Sequence, residues 1–365
     1  EYFVFRTSDF CTKNTEVALV IHSTSLYNSN SKDRESSFRR YLLEEFHIKK
    51  VFELAVVRKE VFDKSNDKAI APACVLFYKY ANGDDTNNNI ITHIALKPSR
   101  FFSMFKVFSV CSSDIQEVQQ DRLKKYDWLW KVLVYGSYLD FNLIKRLREK
   151  PSIKNIINDR DRFISATGIT FSEKKAKYDA SRLKGMDFID VYAVENFFIN
   201  PQKVTPFQKD RLGRIRNTKK DIFYAPMLLC RHGLDTEKLI LRSAISYKNA
   251  IFKKSLLSIK AYRIEDTNIL KNIGCIFSSD ILSYLSIQTF SSIGIERGNA
   301  KGGEILSLPY VELNKDYYET MEGLYRLRDQ KKESMLLNAN ELYDIDKKIV
   351  DESNAYNNKI KDMLN

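Results

Sequence analysis

Val17-Ala18-Leu19-Val20-Ile21 is the stretch on which the fold turns. Five apolar residues in a row, three of them β-branched, are too short for a helix and match a strand buried on both faces. A helix is expected next. Ser31 is placed to cap Lys32 to Phe46, where Phe38, Leu42, Leu43 and Phe46 recur at helical spacing and Arg34, Glu35, Arg39, Arg40, Glu44 and Glu45 take the other face. Ile48 to Leu54 reads as a second strand and Ala73 to Lys79 as a third, reached through a polar turn near Ser65-Asn66-Asp67. Ile90 to Lys97 reads as one more strand, after the turn cluster between Tyr80 and Asn89. Strand, helix, strand, strand is the order of an α/β sheet.

Four short patterns sharpen this reading. They are the apolar strand ending in a small polar loop (Val17 to Tyr27), Phe-Arg-x-Tyr-Leu-Leu (Phe38 to Leu43), Arg-x-x-Val-Phe (Arg58 to Phe62) and the closing strand from Pro72 to Leu76. Together they resemble the distal part of the catalytic domain of adenine-N6 DNA methyltransferases, of the kind found in type I modification subunits and single-chain type II restriction-modification enzymes. Any Rossmann-like sheet is the alternative on the same residues.

The resemblance implies a methyl donor, S-adenosylmethionine, held by a Gly-containing turn, and a flipped adenine held by an Asn/Asp-Pro-Pro-Tyr/Phe motif. The seven prolines are all isolated, and no Gly-x-Gly-x-x-Gly loop occurs. By resemblance those motifs would precede Glu1, and Glu1 to Thr12 would be the helix after the catalytic loop. The chain is then the C-terminal part of a parent enzyme. No catalytic and no cofactor-binding residue is assigned in it, and S-adenosylmethionine belongs to the parent. Alone, the chain is expected neither to bind the donor nor to transfer a methyl group.

Composition points the same way. With 365 residues there is room for two domains with their own cores, and a net charge of +12 suits an anionic partner such as double-stranded DNA. Cys11, Cys74, Cys111, Cys230 and Cys275 stand singly with no Cys-x-x-Cys, which indicates neither a disulfide framework nor a zinc site. That usage suits a reducing, cytoplasmic setting. No apolar run approaches the length of a membrane span.

From Asp121 the resemblance continues into a DNA target recognition domain. Asp127 to Gly136 looks like its beginning, a strand or loop with Trp leading into a short helix from Asp140 to Leu147. Trp128 and Trp130 beside Leu129, Val132 and Leu133 read as a packing anchor before they read as base-stacking groups. Gly168-Ile169-Thr170 and a strand-like Asp190 to Ile199 follow. The loop from Lys203 to Lys220 then carries Lys203, Lys209, Arg211, Arg214, Arg216, Lys219 and Lys220 against Asp210. Guanidinium groups in such a run grip phosphates or read guanine bidentately, while a solvated face is the plain alternative.

Ile222 to Gly233 and Leu239 to Ile245 form a candidate hairpin, with Arg231, His232 and Lys238 at or near a tip that fits a DNA groove. Asn268 to Phe290 has helix-like spacing, which by resemblance is the helix pair that precedes the end of the recognition domain. The closing segment from Ser291 to Pro309 is read as a glycine loop (Gly294, Gly298, Gly302, Gly303) leading to a strand, with Arg297 and Lys301 as DNA-contact candidates. Leu342, Ile345, Ile349, Tyr356, Ile360 and Met363 lie close to a heptad seam, to be covered by a helix from Tyr317 to Arg328.

The expected architecture is α/β: a partial Rossmann-like methyltransferase sheet over 1–110, an α+β target recognition domain over 121–310 and a helical tail over 314–365. The function it implies is target recognition for a DNA adenine-N6 methyltransferase of a restriction-modification system, with a specificity or restriction subunit as a further candidate partner. A non-catalytic DNA-specificity subunit is the alternative. Glu173-Lys174-Lys175 gives a weaker hint of a nuclease, without an acidic partner in place.

Overall fold

The computed structural model describes residues 1–27, 38–61, 71–105, 107–171, 178–213, 221–235, 239–296, 298–312, 316–333 and 339–364. They form two compact units, Glu1–Lys145 with Leu285–Ala300 and Arg146–Tyr284 with Lys301–Asn365. The boundary expected between 110 and 121 thus falls inside the first unit. The tail read as 314–365 belongs to the second.

The first unit is built on a mixed sheet of β1 (Glu16–His22), β2 (Phe46–Glu53), β3 (Ala73–Tyr80), β4 (Ile90–Ala95) and β5 (Ile115–Gln119), in the order β1-β3-β2-β4-β5. β3 runs antiparallel to both β1 and β2, β4 is parallel to β2, and β5 is antiparallel to β4. β1 to β4 fall close to where the apolar runs place them and β5 was not expected, but β1 is not buried on both faces. It is an edge paired with β3 alone, its residues alternate in exposure, and Val20 is 65% exposed. A continuous apolar run therefore marks a strand without marking a central one. Its first residue, Glu16, is held by Lys49 and by Lys79 at 3.1 Å.

The following helix spans Phe38–Glu45, and Phe46 opens β2 and fills the core from the strand. The capping residue Ser31 and the Ser65-Asn66-Asp67 turn lie outside the described residues. Between Ile48 and Lys50 the register of β2 on β3 shifts by one residue, which turns the consecutive Lys49 and Lys50 out to solvent. Where a strand or loop was expected at 127–136, the chain forms the helix Leu129–Tyr135. Trp130 is fully buried in it, and Trp128 stacks on Phe141 at 5.6 Å, so both serve packing. Lys131, also buried, donates to the carbonyls of Ile287 at 2.5 Å and Ile293 at 2.7 Å, which ties the returning segment 285–300 into this unit.

The strands among the described residues of the second unit are β6 (Phe163–Thr167), β7 (Tyr178–Asp179), β8 (Asp187–Ile189), β9 (Val204–Pro206), β10 (Arg211–Leu212), β11 (Met227–Leu234), β12 (Leu241–Ser246), β13 (Ala250–Phe252) and β14 (Leu256–Ala261). They make a four-stranded antiparallel sheet β12-β11-β14-β6, a small sheet β13-β8-β9 and a ribbon β10-β7. One core holds them, with Ile169, Phe207, Leu212, Met227, Leu229 and Phe252 among its residues. Gly168 has a packing reason that its sequence did not disclose: a Cβ there would lie 1.9 Å from the carbonyl oxygen of Phe252.

Three expected features differ. Asp190 to Ile199 is not a strand, because the Asp190 side chain accepts from the N–H of Tyr192 and starts a single 3-10 turn, Val191–Ala193. Gly302–Leu306 is a helix in place of the expected strand, since Glu304 accepts from the Lys301 N–H at 2.9 Å and closes its N-terminus. Gly294, at φ +72°, approaches the Tyr135 ring of its own unit, where the Tyr135 hydroxyl donates to its carbonyl.

The helix pair is present as Thr267–Phe277 and Asp280–Thr289, and the tail as Asp316–Glu333 and Ala339–Leu364. Ile345, Ile349, Tyr356 and Ile360 are buried along the last helix, and Tyr356 stacks on Tyr317 at 4.0 Å. Met363, expected in the same seam, is 48% exposed.

Candidate nucleic-acid interface

The hairpin that was expected to offer a basic tip forms from β11 and β12, but β11 runs on to Leu234 before the chain turns to β12 at Leu241. Arg231 and His232 are therefore strand residues that precede the turn. Arg231 is turned inward: its Nε donates to the carbonyl of Val194 at 2.7 Å, and its Nη2 lies 3.5 Å from Glu195. Burial depresses its pKa, and the neighbouring carboxylate of Glu195 offsets this only in part. His232 is held below the ordinary imidazole range by burial, and its Nε2 has no hydrogen-bond partner among the described residues. Lys238 lies outside the described residues.

Around Arg231, three cations share two carboxylates. Arg242 reaches Glu195 at 2.5 Å and Asp235 at 2.5 Å, and Lys203 reaches Glu195 at 3.0 Å. Arg231 and Lys203 were singled out in the sequence as DNA-contact candidates, but their partners Glu195, Asp235 and Arg242 were not, because the members of this network are spread from 195 to 242. Beside it a cleft of about 350 Å³ is lined by Glu195, Asp235, Arg242, Tyr325, Asp329 and Lys332, with both signs of charge present.

The basic run from Lys203 to Lys220 is divided by the structure. Lys203 ends a 3-10 turn, Pro201–Lys203. Lys209 is exposed, with its ammonium 4.8 Å from the centre of the Phe171 ring, and Arg211 is exposed at the start of β10. Arg214, Arg216, Lys219 and Lys220 lie outside the described residues, as do Arg297 and the Glu173-Lys174-Lys175 segment. Lys301 is half-buried at the N-terminus of the helix Gly302–Leu306, where its backbone serves as the cap.

In the first unit, a buried polar cluster sits where the parallel strands β1 and β2 end. The Glu53 carboxylate accepts from Ser23 at 2.7 Å, from the Ala55 N–H at 2.7 Å and from the Tyr27 hydroxyl. Burial raises its pKa to about 7.

No known family model matches the chain, and no curated protein matches it in sequence. Among solved structures it is similar to the type IIL restriction-modification enzyme MmeI in complex with DNA, with a TM-score of 0.45 and 8% identity, over 94% of this chain and 47% of that one. It is also similar to the type IIG restriction endonuclease BpuSI, with a TM-score of 0.33 and 8% identity, over 89% of this chain and 43% of that one. The chain spans less than half the length of either protein. Among the described residues no helix is long and apolar enough to cross a membrane.

Proposed function

We propose that this chain supplies double-stranded DNA target recognition to an adenine-N6 methyltransferase of a restriction-modification system. In this reading the first unit contains the distal strands of the catalytic sheet, and the second unit grips and reads DNA. The observation that carries it is the agreement between motif and element: the segments from Val17, Phe38 and Pro72 that bear the resemblance become an edge strand, a helix and an adjoining strand of one sheet. A net charge of +12 supports the DNA-binding half of the reading.

The residues present bind and orient; methyl transfer has no group assigned to it in this chain. Lysines and arginines on the second unit would neutralise phosphates, and arginines that reach base edges would set the sequence read. Selection from a randomised duplex library with the purified chain tests this. Target recognition predicts enrichment of one short sequence, and a bound pool as random as the input contradicts it. The alternative reading is a specificity module that acts without a catalytic half. In that case an enriched sequence is still expected, and no methyl transfer by any longer form of the protein.

A further inference from the structure

Two groups of cations in the second unit differ in how far their side chains are already engaged. At the β11–β12 hairpin, Lys203, Arg231 and Arg242 face Glu195 and Asp235 within ion-pair distance, and Arg231 also spends its guanidinium on the carbonyls of Val194 and Tyr192. Moving such groups onto a phosphate means breaking bonds already formed.

The β7–β10 ribbon differs. Arg211 stands opposite Asp179, Leu212 opposite Tyr178, and the Ala180 N–H donates to the Asp210 carbonyl at 2.7 Å. Ala180, Leu183 and Leu212 anchor this small element in the core of the unit, while Arg182, Lys209 and Arg211 stay exposed. Of the two carboxylates here, Asp210 is taken by Lys184 at 3.0 Å. Asp179 is held below the usual carboxylate range by the Ser181 hydroxyl and N–H first, with Arg182 and Arg211 adding to the effect. One carboxylate therefore serves two guanidinium groups, and Lys209 rests on the Phe171 ring with no carboxylate within ion-pair distance among the described residues.

We propose that the outer face of the β7–β10 ribbon, with Arg182, Lys209 and Arg211, is the surface by which the second unit binds the phosphate backbone of duplex DNA, and that the hairpin is not. This rests on the DNA-binding reading above. Anchored, exposed and under-neutralised cations are what counterion release requires, and each phosphate neutralised adds about 0.9 to the slope of log K against log salt.

The test compares the full chain with R182A/K209A/R211A and with K203A, on a mixed-sequence synthetic duplex over a salt series, with thermal melts to show that each protein is folded. The triple variant should lose roughly two to three units of slope and bind much more weakly at low salt, while K203A keeps the slope of the parent. An unchanged slope in the triple variant overturns the ribbon proposal and leaves DNA binding standing, as does a loss confined to K203A. If the parent chain binds no duplex at any salt concentration, the DNA-binding reading and this proposal fall together.

Discussion

His93 and Glu53 are both fully buried in the first unit, and burial pushes their titrations in opposite senses. The imidazole of His93 has no hydrogen-bond partner among the described residues, and its pKa falls to about 3. The unfolded chain therefore takes up a proton below pH 6.5 that the folded chain refuses, and stability drops as pH falls from there toward 3, by about 1.4 kcal/mol per pH unit. Glu53 has its folded pKa raised to about 7 from 4.5, so the folded chain keeps a proton that the unfolded one has lost. Its contribution is complete below pH 4.5 and is lost as pH rises to 7, at a similar slope. Between pH 4.5 and 6.5 the two oppose each other. Glu53→Gln should leave a first unit that loses stability steadily on acidification through this window, and His93→Leu one that loses it on the way up. Urea unfolding across the window checks both, and variant profiles parallel to the parent's would contradict them. Neither residue was legible as special in the sequence. A histidine or glutamate in a strand of alternating pattern looks solvent-facing until the helix or loop that covers it is known.

At the scale of elements, strands and helices with a regular apolar period were legible, and those set by a single local hydrogen bond were not. β2, β3, β4 and the paired helices from 267 and 280 appear where their spacing places them. The turn at Asp190 and the helix at Gly302 do not, because one side-chain acceptor outweighs a weak pattern in each. Contacts that join elements distant in sequence were equally hidden. Tyr318, fully buried on the helix Asp316–Glu333, accepts from the Ile245 N–H of β12 at 3.0 Å and donates to the Phe197 carbonyl at 3.2 Å. Phe197 is held at φ +66°, a conformation that a phenylalanine adopts only when its surroundings require it. Tyr318→Phe leaves two buried backbone groups unpaired and should lower the stability of the second unit by about 1–3 kcal/mol. Gly168→Ala should be worse, since the new methyl meets backbone and not a side chain that can swing away. Chemical denaturation of both variants checks this, and parent-like midpoints would show that neither contact holds the unit together.

For the whole molecule, the sequence conveyed a basic chain of two parts with an α/β beginning and a helical end, and misjudged where one part gives way to the other. The unit that contains Glu1–Lys145 recruits Leu285–Ala300 through the buried ammonium of Lys131, a pairing across more than 150 residues that no local pattern records. The candidate site suffered in the same way. Of the cations singled out along the chain, Arg231 and Lys203 are bound to internal acceptors, while Arg182, on a 3-10 turn outside the basic run, emerges beside Arg211 only through the pairing of β7 with β10. The central claim is that this basic chain binds duplex DNA through its phosphates, and equilibrium titration of a fluorescent duplex across a salt series tests it most directly. Log K should fall linearly and steeply with log salt, at a slope of several units. Binding indifferent to salt, or no binding even at the lowest ionic strength, would contradict it.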